Sequence, residues 1–204
     1  MSKYLIPSML RQGIDQNDIR IYNDVTNYGN LMSTMSSYET LPEKGSTWHL
    51  QDDVIISSDF KEQTEKWNEG IVCGFCNRYS EGNSPGETCA EKMWMSFQCI
   101  LIPNEIARGC AKWYHNNVEH NPEYRMWVRV RKYDDSIFKI YVKDYCDGVS
   151  IYNLSPNIVN HIDYLIGGST INSCRGNAIT DSLYWREPEL IKQLERDLKC
   201  QYGR

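Results

Sequence analysis

The side chains with reactive potential in this 204-residue chain are eight cysteines, four histidines and fourteen tyrosines, and their spacing decides which chemistry is open to them. Cys73 and Cys76 form a CGFC turn, with Cys89 and Cys99 downstream, and four thiolates can hold Zn2+ tetrahedrally. A structural zinc site uses two tight pairs, and the step from Cys89 to Cys99 is too wide for the second. A thioredoxin-like motif needs a helix after the CxxC, and no helical pattern follows here. A cysteine nucleophile needs a neighbouring imidazole, yet His49, His115, His120 and His161 are scattered, with no local signature to select a partner. Gly167, Gly168, Ser169 and Thr170 follow a helical pattern, whereas phosphate-binding glycine loops follow a strand. These residues point to buried thiols and a chain that is not an enzyme, with no metal and no cofactor.

The elements that would position the remaining polar and aromatic groups centre on residues 125–154. RMWVRVRKY, IFKIYVKDY and VSIYNL are separated by DDS and CDG breaks, and each alternates with period two, which predicts three antiparallel strands. Met126, Val128, Val130, Phe138, Ile140 and Val142 then share a core face. The opposite face carries an interface stripe of Trp127, Arg129, Arg131, Lys139 and Lys143, interleaved with Tyr133, Tyr141 and Tyr145. Bases stack on rings while Arg and Lys neutralise phosphates, so this stripe is also a candidate nucleic-acid surface. Against that reading stand a net charge of -5 and the lack of either RNP sequence.

Residues 1–47 are poor in aliphatics and rich in Asn, Ser, Thr and Met, so they read as an N-terminal arm ahead of a single β-rich domain over 48–204. Tyr4, Leu5, Ile6, Met9, Leu10 and Ile14 give that arm apolar contacts, and it is expected to dock on the body or on a neighbouring copy. In the body, TWHLQDDVIISSDF predicts strands, Asp59 and Glu62 open a short helix, and GIVCGFCNRY and MWMSFQCILI are buried strands. Pro103 starts a helix running to about His115, Ser155 and Pro156 start another, and Leu190, Ile191, Leu194 and Leu198 mark a C-terminal amphipathic helix. The fold class expected is α+β, β-rich, with sandwich-like antiparallel sheets and flanking helices. No membrane span and no signal peptide are seen, so the expected location is cytoplasmic.

Phe75, Cys76, Asn77, Arg78 and Tyr79 form FCNRY, a segment that resembles one in the cypovirus polyhedrins, which crystallise in infected insect cells and occlude virions. The resemblance implies a viral occlusion-body protein: a β-sandwich with flanking helices, an arm exchanged between subunits, partners that are copies of itself and virions, and a lattice stable at neutral pH that dissolves in alkali. The titration chemistry is compatible, because phenols lose protons near pH 10 and thiols near pH 8.5. Tyr133, Tyr141, Tyr145 and Tyr152 are the candidate switch groups. The alternative reading is an RNA-binding module using the stripe on residues 125–154.

Overall fold

The computed structural model describes residues 5–24, 29–51, 54–75, 86–88, 97–123, 134–154 and 157–161, with Lys192 and Arg196 as single helical positions. The helices are α1 (Leu5–Arg11), α2 (Asn30–Glu39), α3 (Phe60–Thr64), α4 (Asn104–Trp113) and α5 (Asp134–Tyr145). The strands are β1 (Ser46–Leu50), β2 (Val54–Ile56), β3 (Ile71–Cys73), β4 (Gly86–Thr88), β5 (Cys99–Pro103), β6 (Ile151–Asn153) and β7 (Val159–His161). Five strands form one mixed sheet in the order β1-β5-β3-β6-β4, and β2 pairs with β7 in a second, two-stranded sheet. Helices and sheets on one chain in this arrangement make an α+β fold.

The central strands are short and wholly apolar because both sheet faces are covered. IVC of β3 and CILI of β5 are fully buried, as in strands sandwiched between layers. Alternation along each strand then divides two cores. Ile71, Cys73, Ile100, Ile102 and Ile151 pack with α2, α4 and α5 through Leu31, Met35, Tyr38, Cys110, Ile137, Phe138 and Val142. On the other face, Cys99 packs with Val54, Ile56, Phe60, Phe75, Ile158 and Val159, and Trp48 and Leu50 lie against that cluster. The pairing β3–β6 is parallel, with Ile71 opposite Ile151, while β1–β5, β3–β5 and β4–β6 are antiparallel.

Helix α4 begins where the sequence predicts. Asn104 anchors it: its backbone N–H donates to Gly45 O (2.8 Å), its side-chain amide donates to Lys44 O (2.9 Å), and its side-chain oxygen accepts from Thr47 Oγ1 (2.7 Å). Strands β2 and β3 and helix α3 also fall inside their predicted runs, and β1 and β5 each overrun theirs by one residue. Two expectations are overturned. The run IFKIYVKDY is not a strand but the body of α5. Its apolar residues satisfy both periods: Ile137, Phe138, Tyr141, Val142 and Tyr145 recur at i, i+1, i+4, i+5 and i+8, which is one helix face. Asp134 and Asp135 lie in the first turn and Lys143 in the last, as the helix dipole favours, and Lys139 pairs with Asp135 at 3.1 Å. What reads as a turn between two strands is thus a helix start. The third run does supply β6, and RMWVRVRKY lies outside the described residues. Similarly, residues 159–161, predicted as helix after Ser155, are strand β7, fixed by pairing Val54 with His161 and Ile56 with Val159.

Within residues 1–47 the two helices differ. Helix α1 lies on the outside of the second core, with Leu5, Met9 and Ile14 packed against it. Helix α2 is part of the first core through Leu31, Met35 and Tyr38. Among the described residues no helix is long and apolar enough to cross a membrane.

Candidate self-association surface

Of the arm residues singled out above, Tyr4 lies outside the described residues. Leu5, Met9 and Ile14 face the second core, Ile6 is half-buried, and Leu10 is 41% exposed. A side-chain clasp holds this helix down. Gln12 Nε2 donates to Ser57 O (2.7 Å), Lys61 N donates to Gln12 Oε1 (3.0 Å), and Lys61 Nζ donates to Gly13 O (2.9 Å). Beyond the clasp the chain makes one 3-10 turn, Gln16–Asp18, and after it Ile21 and Tyr22 are 64% and 49% exposed.

Of the interface stripe, Trp127, Arg129 and Arg131 lie outside the described residues. Lys139 is engaged with Asp135, and Lys143 is exposed on the last turn of α5. A helix cannot present Lys139, Tyr141, Lys143 and Tyr145 on one face as a strand would, so this half of the predicted stripe is dispersed. The tyrosines are instead gathered with a residue of another helix. Tyr141 and Tyr145 stack at 5.5 Å with 21° between their planes, and Trp113 of α4 meets them at 5.7 and 5.5 Å. Gly109 makes this possible, since a Cβ there would collide with the Tyr141 hydroxyl. Tyr145, at 59% exposed, is the outer ring of the trio. Tyr152 packs on Trp67 at 4.9 Å, and Tyr133 lies outside the described residues.

Beside this trio a cleft of about 440 Å3 opens between the end of α2 and α4, lined by Glu39, Arg108, Gly109, Lys112, His115 and Asn116. Arg108, in its lining, donates to the carbonyls of Glu39 (2.9 Å), the last residue of α2, and Leu41 (2.8 Å), just beyond it. After α4 the chain winds into a wider turn, Tyr114–Val118, with Glu119 N donating to Tyr114 O (3.0 Å). That turn carries His115, whose Nδ1 is 2.6 Å from Glu119 Oε2 and whose Nε2 is 3.5 Å from Glu39 Oε1. The imidazole is thus held between two carboxylates. Cys73 and Cys99 sit on neighbouring strands but in different cores, and Cys76 and Cys89 lie outside the described residues.

Burial perturbs several titratable groups, among them Tyr38, which the sequence analysis does not single out. The Tyr38 phenol, enclosed in the first core, is pushed well up by burial and by its neighbours Cys110 and Asp134, and its hydroxyl has no hydrogen-bond partner among the described residues. Burial likewise raises the phenols of Tyr114 and Tyr141 and the thiols of Cys99, Cys110 and Cys146. Asp134 is buried, so its carboxyl is raised even though Thr34 Oγ1 donates to it at 2.8 Å. His49 sits on a strand that is only half-buried, but its ring is packed between Tyr38 (6.0 Å) and Phe97 (6.3 Å), and burial lowers its pKa to about 4. The i, i+3, i+4, i+7 spacing of Leu31, Thr34, Met35 and Tyr38 is the signal that could have found Tyr38 in the sequence.

No protein-family model, no curated protein and no solved structure matches this chain. Of the FCNRY segment, Phe75 is described and is buried in the second core.

Proposed function

We propose that this is a structural, self-associating protein without catalytic activity, the matrix of a viral occlusion body similar to the cypovirus polyhedrins, formed in the cytoplasm and dissolving in alkali. The observation that carries the self-association is the stretch after the Gln12 clasp: an Ile and a Tyr, adjacent in sequence and 64% and 49% exposed. Exposed aromatic and aliphatic pairs of this kind are what protein interfaces bury. In this reading the finer architecture is β-rich and sandwich-like, with the β2–β7 pair facing the large sheet across the second core.

Alkaline lability is supported by the sign of the titrations. Raised phenols and thiols keep their protons in the folded chain after the unfolded chain has lost them. Their contribution is fully present below about pH 8.5 for thiols and about pH 10 for phenols, and it is lost as pH rises towards the folded values. The nucleic-acid reading draws less support, because Lys139 is engaged with Asp135 and Lys143 is followed directly by Asp144.

The test is light scattering of the concentrated full-length protein, followed by titration from pH 7 to pH 11. Ordered particles at neutral pH that clear in alkali are expected, and Ile21→Ser with Tyr22→Ser is expected to prevent the particles while leaving the circular dichroism unchanged. A chain that stays monomeric at high concentration and binds RNA with a steep salt dependence would overturn this function.

A further inference from the structure

The most exposed large ring among the described residues stands next to a cleft. Tyr145 stacks on Tyr141, whose hydroxyl touches Gly109, and leans on Trp113, the residue after Lys112. Gly109 and Lys112 line the cleft. Knob and hole therefore belong to one patch, built on the same turn of α4.

The charges around them are matched in sign. The knob is flanked by Lys143, Asp144 and Asp147, all exposed. The cleft presents Lys112, exposed on its rim, with Arg108 and Glu39 in its lining. Asp144 and Asp147 beside the ring are opposite in sign to Lys112 on the rim of the cleft, and Lys143 is opposite in sign to Glu39. A patch that holds both a projection and its receptor, with complementary charges around each, is self-complementary about a two-fold axis.

We propose that Tyr145 and the cleft over Gly109 form a reciprocal two-fold contact between copies of this chain, each tyrosine seated in the other's cleft. This deepens the self-association reading and rests on it, but uses a surface separate from Ile21 and Tyr22. The contact closes on itself, so it makes a dimer, and the leading segment links dimers into larger assemblies. A buried aromatic anchor in a pocket is the usual hot spot of such an interface.

Sedimentation velocity over a concentration series tests it. In the full chain carrying Ile21→Ser and Tyr22→Ser, a dimer is expected to remain, and adding Tyr145→Ser is expected to weaken it roughly 10-fold or more. Lys112→Asp is expected to weaken the dimer as well, and Lys112→Asp combined with Asp144→Lys and Asp147→Lys to restore it, which a loss of folding could not mimic. Three results would overturn the contact: association unchanged by Tyr145→Ser, a charge swap no tighter than Lys112→Asp alone, or open-ended growth where a dimer is expected. Particles that form normally in the Tyr145→Ser chain sink this inference and leave the proposed function standing. A wild-type chain that is monomeric at every concentration sinks both.

Discussion

The two faces of the five-stranded sheet are covered by different materials, and the difference separates two kinds of sensitivity. The face under α2, α4 and α5 holds His49, Tyr38, Asp134 and Cys110 within or beside its apolar core. The face under α1, α3 and the β2–β7 pair is apolar, with Cys99 its raised titratable group among the described residues. Proton concentration therefore acts through the helical layer. The other layer responds to whether α1 stays clasped. A polar group buried in a core costs free energy whenever its charge state changes, so the helical face confers pH dependence on the whole fold.

The largest blow to this comparison comes from the ring that joins the helical layer together. Phe138 is fully buried and meets Phe97 at 5.3 Å and Tyr38 at 6.1 Å. Phe138→Ala should cost about 3–5 kcal/mol in urea denaturation. A loss near zero would mean that α5 does not seal this core.

Next in size is acid. The folded pKa of His49, about 4, lies below the unfolded value of about 6.5, so the unfolded chain binds the proton first as pH falls. Stability is fully present above pH 6.5 and declines as pH falls to 4, by at most about 3 kcal/mol. Raised Asp134 acts in the opposite sense, because it favours the folded state as its carboxyl becomes neutral. His49→Leu should flatten the slope of denaturation midpoints between pH 7 and pH 4, and an unchanged slope would place the acid sensitivity elsewhere.

Alkali should act through the same layer. Above about pH 10 each raised phenol costs up to about 1.4 kcal/mol per pH unit. Tyr38→Phe removes a buried hydroxyl that has no partner among the described residues, so it should leave neutral-pH stability intact while shifting alkaline unfolding, followed by tyrosinate absorbance, to higher pH. If both forms unfold at one pH, Tyr38 is not the sensor. The smallest effect belongs to the opposite face: Gln12→Ala removes two hydrogen bonds from the clasp and should cost about 1 kcal/mol. Hydrogen exchange should then speed up in residues 5–14 alone. Acceleration across α2 as well would show that the layers are coupled.

Much of this architecture is legible in the residues. The strand content of TWHL, VII, IVC and CILIP follows from short apolar runs bounded by turn formers, and α4 follows from Pro103 and the spacing of Ile106, Cys110 and Trp113. Helix α5 is not legible, because a nine-residue run with apolar residues at both periods fits a strand until α4 supplies a partner for its Tyr141–Tyr145 edge. Helix α2 escapes notice because Ser33, Thr34, Ser36 and Ser37 give it a loop's composition around a helical spacing. The aromatic trio is half visible: Tyr141 and Tyr145 stand out in the sequence as candidate switch groups, but Trp113 joins them only through helix packing. The cleft is invisible in sequence, since Glu39 and Arg108 meet through the fold alone.

The parallel pairing of β3 with β6 has a consequence for synthesis. Ile71 must wait for Ile151, eighty positions later, before the middle of the large sheet is complete. Until then β3 presents an open edge to the cell. A ribosome has to deliver residue 151 before that edge is sealed. The chain is then most vulnerable to sticking wrongly just before its sheet closes, and slowing translation ahead of residue 151 should raise the fraction lost to disordered aggregates.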